Sequence, residues 1–546
     1  MLALAAATLA LSAAAGPAAA VAPPGRASLR CAATIAQGGL RGAAERGTCA
    51  FRGIRYAAAP VGALRFRPPQ PPPSWRGTLR ATRAGPICPQ DRDLLEQYPD
   101  RRPRYTDEDC LRVNVWTPRP DGRRRPVMVF VPGGAFVVGA GSEPLYDGGP
   151  LARRGGVVVV TLNYRLGMLG WLELGRLDPA YRGSGNNGLR DQIAALRWVR
   201  RNIARFGGDP REITVFGESA GGISVSALLA TAHPERLFRR AIAQSGSGYL
   251  VHTRAYQEEI ARRHIAIAGV RSVRALLAMS ASRILDIQKT AYDRAPLFSG
   301  DTYFAPYVDG ALLPGPVVRR VAAGSARKID LLSGTTENET QYWGLYDPAL
   351  LTLPPAANPF FPGGLSARRA QITATYRRDR PTATDGEISH AMLTDQLFRV
   401  PQIRLAQAQA RWRPRNDFAY WFRWRRASTP AAGPYANLGA VHAIELPFVF
   451  GNLDLSWIPR GRTSDPREIV RRRTLSDRVM DAWISFALTG SPNARRGRGV
   501  PYWPAYGVRR RATMAWNLRP AVVDAPADRE RRLWDGRTFD AWDFVP

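Results

Sequence analysis

The chain has 546 residues, 45% of them hydrophobic and 22% charged, the balance of an ordinary folded domain. That excludes a disordered chain, a collagen-like fibre and a multi-span membrane protein, and the length is ample for a large core. Lys and Arg number 77 against 45 Asp and Glu, a net charge of +32, and Lys289 and Lys328 are the only lysines. The arginines are scattered along the whole chain and joined by an excess of Ala, Gly and Pro. They read as GC-rich codon usage, and nucleic acid is not expected as a partner.

Residues 2–15 form an uncharged apolar run, and Ala18-Ala19-Ala20 and Ala20-Val21-Ala22 fit small-x-small cleavage sites. The pattern reads as a signal peptide over residues 1–22, although no Arg or Lys precedes the run. The run is short for a membrane span, and no comparable apolar stretch follows. A secreted or periplasmic protein without stable membrane insertion is expected. Four cysteines, Cys31, Cys49, Cys88 and Cys110, lie in the first fifth of the chain. An even count behind a signal peptide suggests two disulfides, in any of three pairings. With no C-x-x-C and no nearby pair of histidines, a metal site is not expected.

Val127–Val131 (VMVFV) and Gly156–Leu162 (GVVVVTL) are continuous apolar runs bounded by turn residues, as in strands of a buried parallel sheet. In residues 187–205, Leu189, Ile193, Leu196, Val199 and Ile203 recur at helical spacing with arginines between them. Gly207-Gly208-Asp209-Pro210 should stop that helix, Ile213–Phe216 is the next strand, and Gly221–Thr231 begins another helical pattern. Ile329–Leu332 and Phe418–Trp424 read as later strands. Pro-rich stretches at 68–73 and 353–363 read as surface loops. Strand–helix–strand alternation argues an α/β fold around a mostly parallel sheet, in one domain over residues 23–546.

Gly217-Glu218-Ser219-Ala220-Gly221 is a G-x-S-x-G sequence between an expected strand and an expected helix. A sharp strand-to-helix turn needs small neighbours and exposes the serine hydroxyl above the sheet. A serine nucleophile needs a base, and the base an orienting acid. The five histidines are His233, His252, His264, His390 and His442. His233, His264 and His390 lie in polar or Arg-rich surroundings and read as solvated surface residues. His442 follows the turn-rich run at 429–438 and precedes apolar Leu446–Phe450, which suits a base on a late loop. Glu337 and Glu339 both follow the strand ending near Gly334, and loop position alone does not separate them.

The segment Phe206–Gly222 (FGGDPREITVFGESAGG) resembles the serine signature of the type-B carboxylesterases, which have the α/β-hydrolase fold. Glu108–Pro118 (EDCLRVNVWTP) resembles the family's second signature, with Arg112 at a position usually aromatic or Thr. Gly53–Pro71, Val157–Gly170, Gly185–Gln192, Gly439–Gly451 (GAVHAIELPFVFG) and Phe486–Asn493 are similar to family segments as well. The resemblance covers about residues 30–540.

The resemblance implies Ser219 as nucleophile and His442 as base. The family places its acid five residues after a loop glycine, so Gly334 selects Glu339 over Glu337. It implies Gly134, Ala135 and Ala220 as oxyanion-hole donors, with Pro132 replacing the usual His or Tyr and Ala135 replacing a third Gly. Glu218 and Ser245 match hydrogen-bonding positions beside the triad. Cys88–Cys110 matches the family's first disulfide, which leaves Cys31 and Cys49 for each other, across an N-terminal hairpin. Asn338-Glu339-Thr340 fits a glycosylation sequon, improbable in a buried catalytic loop. The form Gly133-Gly134-Ala135-Phe136 is associated with hydrolysis of tertiary-alcohol esters. The implied activity is carboxylic ester hydrolysis through an acyl-enzyme, on small esters, with no cofactor; oligomeric state is left open. Three alternatives fit less well. A catalytically silent binding or adhesion relative would lack part of the triad. A cholinesterase would hold a Trp between Pro89 and Asp109 to contact a quaternary ammonium. A lipase acting at anionic surfaces would cluster its arginines.

Overall fold

Buried apolar runs set the centre of the molecule. In β7 (Arg125–Val131), Val127, Val129 and Val131 enter one hydrophobic cluster while Met128 and Phe130 enter another. In β8 (Val158–Leu162), Val158, Val160 and Leu162 face the first cluster and Val159 the second. Both faces of these strands are covered, so both are mainly apolar, and the one buried threonine of β8, Thr161, is hydrogen-bonded to Gly141 O and Asn114 Nδ2. The computed structural model describes residues 29–91, 105–293, 304–357, 367–425, 438–455 and 465–537. The expected signal peptide at 1–22 lies outside the described residues, as do 358–363 of the second Pro-rich stretch and 429–437 of the turn-rich run.

The remaining strands are β1 (Ala32–Ile35), β2 (Gly38–Arg41), β3 (Ala43–Glu45), β4 (Thr48–Arg55), β5 (Thr78–Arg80) and β6 (Arg112–Thr117). After them come β9 (Gly208–Glu218), β10 (Arg240–Gln244), β11 (Asp330–Thr336), β12 (Asp417–Phe422), β13 (Ala512–Trp516) and β14 (Ala521–Asp524). Eleven of them form one sheet in the order β14-β13-β12-β11-β10-β9-β7-β8-β6-β4-β3. From β13 to β8 neighbouring strands run parallel. The edge pairs β13–β14, β8–β6, β6–β4 and β4–β3 are antiparallel. A small sheet, β1-β2-β5, stands beside it.

The helix Asn187–Asn202 buries Leu189, Ile193, Leu196 and Val199 in the first cluster. It tightens into a 3₁₀ turn and ends at Gly207, whose φ of 83° closes the turn in the left-handed region. On the other face, the 24-residue helix Pro466–Thr489 contributes Leu475, Val479, Trp483 and Phe486 to the second cluster. The strand expected at Ile213–Phe216 is longer, starting at Gly208 directly after the helix stop. The following helix starts at Ala220, one residue early.

Both disulfides pair sequentially. Cys88–Cys110 ties the segment ahead of β6. Cys31–Cys49 spans further than one hairpin: Cys31 precedes β1 of the small sheet and Cys49 lies in β4 of the large one, so the bond joins the two sheets. Among the described residues, no helix is long and apolar enough to cross a membrane.

Candidate active site

The site is built at the carboxyl ends of the parallel strands, where open α/β sheets place their ligands. β9 ends at Glu218, and Ser219 turns the chain into the helix Ala220–Leu229 with φ 57° and ψ −126°. This conformation is costly for a residue with a side chain. It is held by Ser219 N–H donating to Gln244 O at 3.0 Å and by Ile223 N–H donating to Ser219 O at 2.8 Å. The flanking glycines are required by close approach: a Cβ on Gly221 would lie 2.0 Å from Val131 O. Ser219 is partly exposed between buried Glu218 and buried Ala220.

The loop after β7 lies against this elbow. A Cβ on Gly133 would meet Glu218 O at 2.7 Å and Ser219 Cβ at 3.1 Å. Gly134, Ala135 and Phe136 all have positive φ, at 115°, 51° and 61°. Val137 and Val138 N–H both donate to Gly134 O at 3.0 Å, and Gly167 N–H to Phe136 O at 2.8 Å, so the loop is braced. The N–H groups of Gly134, Ala135 and Ala220 donate to no acceptor among the described residues. Three N–H groups without intramolecular acceptors next to a serine can receive a developing oxyanion. Pro132 keeps its carbonyl in use, accepting from Tyr164 OH at 2.9 Å.

Beyond β11, Glu339 is fully buried and its carboxylate is saturated. Oε1 accepts from Ser245 Oγ and from Thr336 N–H, both at 2.7 Å. Oε2 lies 2.6 Å from His442 Nδ1. Ser245 is itself held by its N–H donating to Gly334 O at 2.8 Å. Glu337, two residues earlier, points elsewhere: Arg423 binds Oε1 at 2.7 Å and Arg425 binds Oε2 at 2.8 Å. The two carboxylates that loop position left equivalent are thus separated by their partners.

His442 follows β12 and is 6% exposed. Trp343 stacks on its ring with centroids 5.9 Å apart, and Phe398 lies 5.1 Å away. Phe398 sits in the five-residue π-helical stretch Asp395–Arg399. Burial alone would lower the imidazole pKa; Glu218 and Glu339 more than offset it and raise the value to about 9. No hydrogen bond joins the Ser219 hydroxyl to His442 among the described residues. Such nucleophile–base contacts tighten when substrate binds.

A third carboxylate, Glu445, was not anticipated. It is fully buried and accepts from Gln244 Nε2 at 3.1 Å. Burial, then the Glu339 charge, pushes its pKa up. It lies three residues after His442 in a segment otherwise apolar, which is the one signal that could have singled it out. Tyr420, also unanticipated, has its phenol pKa raised by burial and by Glu445, Glu339 and Glu218.

Two other histidines differ from their expected solvation. His264 is buried, with Nδ1 2.8 Å from Ile260 O, one turn back in its helix, and its ring against Phe304. Burial lowers its pKa to about 4. His390 is buried, with Nδ1 3.0 Å from Thr340 Oγ1 and Nε2 2.9 Å from Leu350 O. Arg262 and Arg263 beside His264 project from other faces of its helix, and the charged residues before His390 on its helix are less buried than it is, so sequence neighbourhood misrepresents the burial of both. His233 is exposed as expected. The sequon is enclosed: Asn338 Oδ1 accepts from Ala440 N–H at 3.1 Å, and Thr340 is 2% exposed. Among the described residues, no cluster of His, Cys, Asp or Glu could hold a metal ion.

A serine on a left-handed elbow after a central parallel strand, with an acid beyond β11 and a histidine beyond β12, defines an α/β-hydrolase. Residues 31–534 match the sequence model of the Carboxylesterase family. The para-nitrobenzyl esterase of Bacillus subtilis is 38% identical over 507 residues, 91% of this chain and 97% of that protein. A liver carboxylesterase of Sus scrofa is 33% identical, covering 84% of this chain and 83% of its own. The crystal structure of a Geobacillus stearothermophilus carboxylesterase superposes with a TM-score of 0.79 at 36% identity, covering 93% of this chain and all of that one. The chain belongs to the carboxylesterase family and is a carboxylic ester hydrolase.

Proposed function

We propose that the protein is a secreted serine carboxylesterase that cleaves small carboxylic esters through Ser219, His442 and Glu339. The observation that carries this reading is the 2.6 Å contact of His442 Nδ1 with a Glu339 whose other oxygen is fixed by Ser245 and Thr336. That arrangement sets the imidazole tautomer, and Nε2, which faces Glu218 Oε1 at 3.2 Å, turns to the serine when substrate binds. His442 takes the Ser219 proton as Oγ attacks the ester carbonyl. The oxyanion is received by the N–H groups of Gly134, Ala135 and Ala220, each worth about 3 kcal/mol in the transition state. His442 then protonates the departing alcohol. Water, deprotonated by His442, attacks the acyl-enzyme and releases the acid. Two disulfides and the apolar N-terminal run support secretion.

The test is a series of nitrophenyl esters of increasing acyl length, followed before and after steady state. The acyl-enzyme route predicts an initial burst of nitrophenol equal to the enzyme concentration wherever deacylation limits. Ser219→Ala should abolish the burst and lower turnover by orders of magnitude. Undiminished turnover in that variant would refute the reading.

A further inference from the structure

At the opposite end of the sheet from Ser219, the amino ends of four parallel strands surround a solvent-open cleft of about 390 Å³. Its cations come from separate elements. Arg200 lies on the helix Asn187–Asn202, Arg211 in β9, Arg239 just before β10, Lys328 before β11 and Arg413 before β12. Glu235 is the one acid in the lining, and buried Phe238 completes it.

Glu235 has one long contact, to His233 Nδ1 at 3.5 Å, and the other carboxylates nearby are already paired with arginines. Glu212 binds Arg239 at 2.9 Å through one oxygen and Arg240 at 2.7 Å through the other. Asp330 binds Arg413 and lies 3.6 Å from Arg240. Arg211 has only a long contact to Asp209, at 3.7 Å. Arg200 and Lys328 pair with no carboxylate among the described residues. Four arginines and a lysine far apart in sequence therefore meet around one concavity, whose lining contains a single acid, Glu235.

We propose that this cleft is a binding site for a small anion carrying two or more linked phosphates. Guanidinium groups grip phosphate oxygens in pairs, and an ammonium adds a point charge. Cations on five separate elements suit several linked phosphates better than one. The volume falls in the range of small-molecule sites, roughly 300–1,000 Å³. The site is separate from ester hydrolysis: from Arg211 to Ser219 is eight residues of strand, roughly 25 Å.

The test is calorimetric titration of the whole protein with tripolyphosphate and with orthophosphate at 0.15 M salt, where diffuse surface attraction is screened. One saturable site per chain is expected, tighter for tripolyphosphate. The double substitution Arg200→Gln, Lys328→Gln removes the two cations without ion pairs and should weaken tripolyphosphate by about tenfold or more. Arg471→Gln, Arg473→Gln removes the same charge from exposed positions on the helix Pro466–Thr489, which contributes no residue to the cleft, and should change affinity far less. Ester turnover should be unaltered in both variants, which monitors folding. No saturable binding, or a loss in the cleft variant no greater than in the control, would overturn the proposal and leave only a diffuse positive field.

Discussion

Glu218 Oε1 lies 3.2 Å from His442 Nε2, at the far side of the ring from the Glu339 contact. The imidazole is thus held between two buried carboxylates, and its raised pKa follows. In the fold, the charged form is stabilised below the ordinary value of 6.5, and that contribution is lost as pH climbs toward 9. In catalysis the sign is reversed, because only the neutral ring can accept the serine proton.

The acid limb of kcat/KM should therefore lie well above the ordinary histidine value of 6.5. Removing one carboxylate should bring it down. Glu218→Gln is expected to shift the limb lower by about one unit or more. The measurement is a pH–rate profile with a nitrophenyl ester for both forms; coincident limbs would show that Glu218 does not charge the ring.

Glu339→Gln and Glu337→Gln should differ sharply. Losing the Glu339 charge removes the group that fixes the His442 tautomer, and a loss of about four orders of magnitude in kcat is expected. Glu337 is paired with half-exposed Arg423 and exposed Arg425, so its substitution should change kcat by no more than a few-fold and stability by about 1 kcal/mol or less. Matched kinetic constants for the two variants would decide between them.

Much of this site was legible because its signals are local. The G-x-S-x-G motif between a strand and a helix located Ser219, and the Gly439–Gly451 segment located His442. The buried runs of β7 and β8 announced themselves because strands covered on both faces have no polar period. The antiparallel edge strands β3, β4 and β6 did not. β3 is short and pairs only with neighbouring β4, while β4 and β6 pair across the disulfide-bonded segment between them, far apart in sequence, as Ile54 with Val113 shows. Glu445 lies three residues after His442 in sequence, but an isolated carboxylate before an apolar run does not by itself disclose its burial; Tyr420 was missed because only the assembled sheet brings it near Glu445, Glu339 and Glu218. His264 was misjudged because Arg262 and Arg263 beside it face outward while its own side chain faces the core.

That burial has a consequence in acid. With a folded pKa near 4 against 6.5 when unfolded, His264 favours the fold above about 6.5 and loses that contribution as pH falls toward 4. From pH 7 to 4.5 the loss from this one group is about 2 kcal/mol. His264→Gln keeps an N–H donor without titrating. Urea unfolding at the two pH values should show a smaller fall in stability for the variant than for the parent protein; equal falls would remove the assignment.

The oxyanion loop bears on substrate breadth. Ala135, at φ 51° in the loop after β7, carries only a methyl, so it is expected to crowd a branched alcohol less than a bulkier side chain would. Measurable hydrolysis of tert-butyl acetate, slower than that of n-butyl acetate, is expected. Ala135→Gly, which relieves the left-handed strain and removes the methyl, should raise the tert-butyl rate relative to the linear ester. Cleavage of the linear ester alone, by both forms, would count against an open loop.

The central claim is that Ser219 is the nucleophile, and covalent labelling tests it most directly. After reaction with an alkyl phosphonate, peptide mass spectrometry should find a single adduct on the peptide containing Ser219, in step with the loss of esterase activity. Ser219→Ala should take up no label. An adduct on another serine, or full inactivation with Ser219 unmodified, would contradict the account.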